Sequence, residues 1–163
     1  MAGGPLHWTT AYPVTADIAA PLIYNGAGAT EDREKMLGLA DATTVTADVI
    51  VWHLKFEMYQ VIPTGTAKLR IITRANATSG TIGLNIQTMS ITGSESPDDG
   101  TRTDEASADI TTPGTADQNK ETLHTLTAGN VVADEFLHVY IEVDDTAHNI
   151  AADTGMAISV IWE

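Results

Sequence analysis

The stretch Val-Ile-Val-Trp-His-Leu-Lys-Phe-Glu-Met-Tyr, residues 49–59, constrains the fold more than any other part of the chain. From Trp52 onward it alternates strictly. Trp52, Leu54, Phe56 and Met58 are apolar, while His53, Lys55 and Glu57 are polar and ionisable. Period two is the signature of a strand with one dry and one wet face, because successive side chains point to opposite sides of a sheet. The pattern recurs. Ile82, Leu84 and Ile86 alternate with Gly83, Asn85 and Gln87. The apolar phase then slips to Met89 and Ile91, which predicts a β-bulge near Thr88. Leu137, Val139, Ile141 and Val143 alternate with Phe136, His138, Tyr140 and Glu142. Met156, Ile158, Val160 and Trp162 follow the same rule, as do Leu69 and Ile71 against Lys68, Arg70, Ile72 and Arg74.

Turn chemistry separates these runs: Pro63-Thr-Gly, Ser79-Gly, the 93–100 segment, Pro113-Gly, Gly129-Asn and Asp144-Asp. The expectation is about eight strands near 36–39, 48–60, 66–75, 81–91, 105–112, 118–127, 135–144 and 154–162. Short antiparallel strands of this kind close into an all-β, two-sheet antiparallel β-sandwich, with the jelly roll as the leading topology. Trp52, Phe56 and Trp162 are expected to dominate its core.

Residues 1–35 read as an extended N-terminal arm, and 36–163 as the sandwich domain. Pro5, Pro13 and Pro21 punctuate the arm, yet Leu6, Trp8, Tyr12, Ile18, Leu22 and Tyr24 are too apolar for a free tail. Such an arm should lie on its own domain, on a sister subunit or on a different partner. Residues 30–37, with acids near the start, fit a helical turn. Gly26-Ala-Gly28 reads as a flexible joint, since the third glycine and the Gly-Lys-Ser/Thr of a phosphate loop are missing.

At 163 residues the chain is one domain that buries roughly 68–70% of its unfolded surface. It has no cysteine, so thiol redox chemistry and thiolate–zinc sites are excluded. No apolar run is long enough for a transmembrane helix, and the N-terminus lacks the basic and apolar regions of a signal peptide. The net charge of −14 comes from 22 acids against 8 bases. It repels phosphate backbones and anionic membranes, so neither nucleic acid nor membrane is an expected partner.

No residues combine into an expected catalytic, cofactor or metal site. His53 and His138 could approach if their strands were neighbours, and with Glu57 or Glu142 could then bind a metal; otherwise they are solvated or hydrogen-bonded strand histidines. Carboxylate pairs such as Asp144-Asp145 read as surface charge, with calcium the alternative, though no Asp-x-Asp-x-Asp-Gly is present. Serine nucleophiles lack an elbow. Phe136 and Tyr140 are the aromatic pair on a nominally outer face, where a sugar could stack. Lys68, Arg70 and Arg74 share one strand face. A hairpin of 48–60 with 66–75 places Glu57 opposite Arg70; in a strict jelly roll the two strands fall in different sheets.

The order of elements is an apolar prelude, then Met36-Leu-Gly-Leu, the long strand Val49–Tyr59, Ala77-Thr-Ser-Gly-Thr-Ile-Gly-Leu-Asn-Ile-Gln, a Ser/Asp/Thr-rich loop and Pro113-Gly-Thr-Ala-Asp. Asp134-Glu-Phe-Leu-His-Val-Tyr-Ile-Glu-Val-Asp-Asp and Thr154-Gly-Met-Ala-Ile-Ser-Val-Ile-Trp-Glu complete it. Over residues 36–163 this resembles small β-sandwich virion proteins of tailed bacteriophages, which decorate capsids or occur in head fibres and tails. Where those proteins carry an Arg-Asp near the strand Ile141–Asp145, this chain has Glu142 and no arginine. The resemblance implies a non-enzymatic capsid decoration protein on the virion surface without cofactors, a homo-oligomer with a trimer favoured, and the major capsid protein as partner. The anchor would be Leu6, Trp8, Tyr12, Ile18, Leu22 and Tyr24 of the arm, with Phe136 and Tyr140 as further contact residues. The alternative is a tail or head-fibre module that binds host-surface glycans.

Overall fold

The computed structural model describes residues 6–7, 10–13, 23–24, 36–45, 47–96, 98 and 100–163, with side chains from residue 36 onward. The strands are β1 (Leu6–His7), β2 (Thr10–Pro13), β3 (Ile23–Tyr24), β4 (Met36–Leu39), β5 (Val49–Glu57) and β6 (Ala67–Ala75). They continue with β7 (Thr81–Ile91), β8 (Thr103–Asp104), β9 (Ala108–Thr111), β10 (Asn119–Thr125), β11 (Phe136–Val143) and β12 (Thr154–Trp162). One sheet, A, runs β10–β6–β12–β4–β3, with β1 also on β12; the other, B, runs β2–β5–β11–β7–β8, with β9 also on β7. Without the two- and four-residue strands of the first 35 residues and β8, the order is β10–β6–β12–β4 facing β5–β11–β7–β9. From β4 to β12 each long strand crosses to the opposite sheet, except that β9 stays beside β7. This is the jelly-roll order, two interleaved Greek keys. Among the described residues all pairings are antiparallel.

Alternation fixes which side of each strand is dry. Leu54, Phe56, Leu69, Ile71, Leu84, Leu137, Val139, Ile141, Val143, Met156 and Val160 are all fully enclosed between the sheets. Trp52 joins them and donates its indole N–H to the Gly38 carbonyl at 2.8 Å, tying β5 to β4 across the layers. A buried indole needs such a partner.

Four local expectations change. β5 and β6 lie in different sheets, so the hairpin does not form. Glu57 stands opposite Phe136, and Arg70 pairs instead with Glu121 of β10. No bulge interrupts β7 near Thr88: its register with β11 runs unbroken from Leu84 to Ile91. Thr88 stays on the buried face, satisfied by the Glu105 carboxylate at 2.7 Å, while Met89 and Ile91 form a small apolar cluster on the outer face with Tyr140. The register irregularity lies instead in β5, where Trp52 faces Ile141 but Ile50 faces Glu142. Val51 is the extra residue, and the bulge lets both Val51 and Trp52 be buried just where strict alternation begins. The expected 105–112 strand shortens to β9, with the separate two-residue β8 ahead of it, and Met36 and Leu37 belong to β4 rather than to a helical turn.

The described strands of the first 35 residues, β1, β2 and β3, contribute backbone pairing to both sheets. Leu6 pairs with Val160, Thr10–Pro13 extend along β5, and Ile23–Tyr24 along β4. Trp8, Ile18, Leu22 and the Gly26-Ala-Gly28 joint lie outside the described residues.

Candidate functional site

The outer face of sheet B is built from the residues that alternate out of the core: His53, Lys55 and Glu57 on β5; Phe136, His138, Tyr140 and Glu142 on β11; Asn85, Gln87, Met89 and Ile91 on β7. Register makes His53 the direct partner of Tyr140, and Lys55 that of His138. Cross-strand neighbours of this kind touch. The rings of His53 and Tyr140 stack at 4.3 Å and 7°. His53 Nε2 lies 2.7 Å from His138 Nδ1, a ring-to-ring hydrogen bond along the diagonal. Arg102, from the turn before β8, places its guanidinium 4.0 Å from the centre of the Tyr140 ring, and Lys55 Nζ sits 3.8 Å from that of Phe136. These are cation–π distances.

This half of the face is therefore not wet. Tyr140 is 5% and His138 2% exposed, His53, Lys55 and Phe136 are half-buried, and Glu57 is exposed. Burial pushes the imidazole of His138 down to about 4, with the neighbouring His53 and Lys55 adding to the effect. His53 is lowered by burial, by Arg102 and by Lys55. Both imidazoles are neutral at pH 7, which a ring-to-ring hydrogen bond requires of at least one. The two histidines thus meet as the neighbouring-strand alternative anticipated. The metal extension gains no third ligand among the described residues: Glu57 and Glu142 do not join them, and the acidic or imidazole groups that converge are elsewhere. Phe136 and Tyr140 do share the outer face, but as rings covered by Lys55 and Arg102 rather than as an open platform.

Toward the other end of the same face lies a shallow trough of about 460 Å³. Asn85, Gln87, Asp104, Ser107 and Glu142 line it. Asn85 donates to Glu142 at 3.3 Å, and Gln87 to Asp104 at 2.9 Å. Beneath its rim, Glu105 accepts hydrogen bonds from Thr88, from Asn130 and from the backbone and hydroxyl of Thr127. Burial alone would raise the Glu105 carboxyl, but these donors outweigh it and hold it below the usual carboxylate range. The carboxylate fastens the β8 segment to β7 and to the 3-10 turn Ala128–Asn130. The sequence signal for this trough was only the polar phase of β7.

A second carboxylate group gathers Asp48, Asp144 and Asp145, with oxygens within 4.8 Å of one another. The Thr146 hydroxyl and burial act oppositely on Asp144, and with two backbone N–H donors the balance holds it below its ordinary value. Asp145 is raised by desolvation and by Asp48 beside it. The loop that carries them presses on Gly83, where a Cβ would come within 2.7 Å of Ala147. The cluster by itself assigns no ligand. His148 donates to the Ala40 carbonyl at 3.0 Å, and His124 is buried on β10; both serve packing.

No family model and no curated protein matches this chain. Solved structures do resemble it. The arabinose-bound structure of the α-L-arabinofuranosidase MgGH51 superposes with a TM-score of 0.52 at 12% identity, covering 94% of this chain and 23% of that one. The xylohexaose complex of the CBM22-1–GH10 modules of Clostridium thermocellum xylanase 10B gives 0.41 at 10% identity, covering 98% and 26%. A family 16 carbohydrate-binding module gives 0.37 at 14% identity, covering 88% and 85%. The chain thus spans about a quarter of the length of the first two. At these identities the first likeness speaks to the fold alone, and the other two scores are too low to carry an argument. The chain is an all-β, two-sheet sandwich of the jelly-roll kind.

Proposed function

We propose that this chain is a non-enzymatic virion structural protein of a tailed bacteriophage, a decoration protein that binds the outer surface of the capsid. The observation that carries this reading is the resemblance over residues 36–163, together with the presence of the strands on which it rests, β4, β5, β7, β11 and β12, in one two-sheet sandwich. The partner is the major capsid protein, and the protein acts as a homo-oligomer, a trimer by the same resemblance. Closed symmetry multiplies weak contacts into avidity. The net charge of −14 keeps many copies soluble and apart in water. No described helix is long and apolar enough to cross a membrane.

Adhesion is assigned to residues 1–35 and the sheet edges. Edge strands present unpaired backbone groups that another chain can complete. Co-expression with the major capsid protein of its phage, followed by sedimentation of the particles, tests this. The full chain should sediment with capsids, and a chain lacking residues 1–25 should remain folded in the supernatant. Equal sedimentation of both would remove the anchor role, and failure of both to sediment would remove the decoration reading.

A further inference from the structure

We propose that the trough on the outer face of sheet B is a binding site for a neutral saccharide, held through vicinal hydroxyls by Asn85, Gln87, Asp104 and Glu142. This goes beyond the decoration reading and stands or falls separately from it. The argument begins with spacing. Glu142, Asn85, Gln87 and Asp104 lie on three adjacent strands, with Asn85 opposite Glu142 and Gln87 opposite Asp104. Strands about 4.8 Å apart and side chains two residues apart along them define a patch of roughly 10 by 7 Å. That matches one pyranose ring with its hydroxyls.

Chemistry selects the ligand. Each amide is already fixed by one hydrogen bond to a carboxylate, at 3.3 Å and 2.9 Å. Each still has a second N–H, and each carboxylate a second oxygen. The site therefore offers two preset donor–acceptor pairs. A sugar hydroxyl is donor and acceptor at once, so two adjacent hydroxyls fit a donor beside an acceptor. Pre-fixed side chains lose little entropy on binding. The carboxylates of Asp104, Glu105 and Glu142 repel an anion. They do not converge as metal ligands, since the described carboxylates that do are Asp48, Asp144 and Asp145. The lining is polar throughout apart from Ile86, and the nearest ring in register, Tyr140 opposite Gln87, is enclosed, so recognition rests on the hydroxyl contacts.

The test uses the full-length ¹⁵N-labelled chain and the side-chain amide signals of Asn85 and Gln87. Cellohexaose, xylohexaose, mannohexaose and chitohexaose are each added at about 10 mM, enough to populate even a millimolar complex. The proposal expects at least one of them to shift both amides, and Asn85→Ala and Gln87→Ala each to weaken that binding about ten-fold with the thermal transition unchanged. Asp104→Asn, which keeps the side chain's size, separates lost contacts from lost folding and should also weaken it. No amide shift with any of the four, a shift that survives both alanine variants, or a stronger response to hexalysine than to any sugar would overturn the proposal.

Discussion

The outer faces of the two sheets spend their positive charge differently. On sheet A, Lys68, Arg70 and Arg74 line up along β6 and pair with Glu163, Glu121 and Asp117. Their side chains remain 23–42% exposed. On sheet B, Arg102 and Lys55 lie over the rings of Tyr140 and Phe136, beside two imidazoles that share a hydrogen bond. The first face is a solvated surface whose charges neutralise one another. The second is an organised, partly dehydrated layer outside the core, beside a trough whose own side chains are held by Asn85–Glu142 and Gln87–Asp104 hydrogen bonds. Exposed ion pairs contribute about 0–1 kcal/mol each, whereas enclosed aromatic groups contribute several times more.

The contrast can be broken from the sheet B side first. Tyr140→Ala should cost about 3 kcal/mol, read as a lower urea midpoint, because it removes a 95% enclosed ring and uncovers His53 and Arg102. A cost near that of a surface substitution would mean the layer is not packed. Acid is the second probe. His138 titrates near 6.5 when unfolded and about 4 when folded. Its contribution to stability is thus complete above pH 6.5 and is lost as pH falls toward 4, on the order of 3 kcal/mol. His53, His124 and His148 are lowered too and act in the same direction. Denaturation midpoints at pH 7 and pH 5 should differ, and His138→Gln should flatten the slope. Arg102→Ala comes next, at about 0.5–1 kcal/mol, with increased solvent exposure of Tyr140 visible by fluorescence quenching. Arg70→Ala on sheet A should be smallest, below about 0.5 kcal/mol and sensitive to salt. An Arg70→Ala cost larger than that of Arg102→Ala would reverse the comparison.

The strands were legible because each long one carries period two over four or more positions, as in Trp52–Met58 and Leu137–Val143, and burial enforces that phase. The count of strands then led to the jelly roll, since few sandwiches accommodate so many short antiparallel elements. Pattern could not give pairing. It left the Glu57–Arg70 hairpin open, because facing residues depend on which strands are neighbours. It read Met89 and Ile91 as a bulge, because a second apolar cluster outside the core looks, along one strand, like a slipped phase. The outer layer of sheet B was legible only as two histidines that could approach and an aromatic pair sharing a face. Its cover comes from Arg102, in a polar turn with no periodicity to mark it. Asn85 and Gln87 looked like any wet-face residues until register set Glu142 and Asp104 beside them.

The proposal that this sandwich is a capsid decoration protein is tested most directly by its copy number in purified virions, measured by quantitative mass spectrometry. The account predicts hundreds of copies, in fixed proportion to the major capsid protein. A few copies would place the chain in the tail or fibres, and absence from the particle would contradict the claim outright.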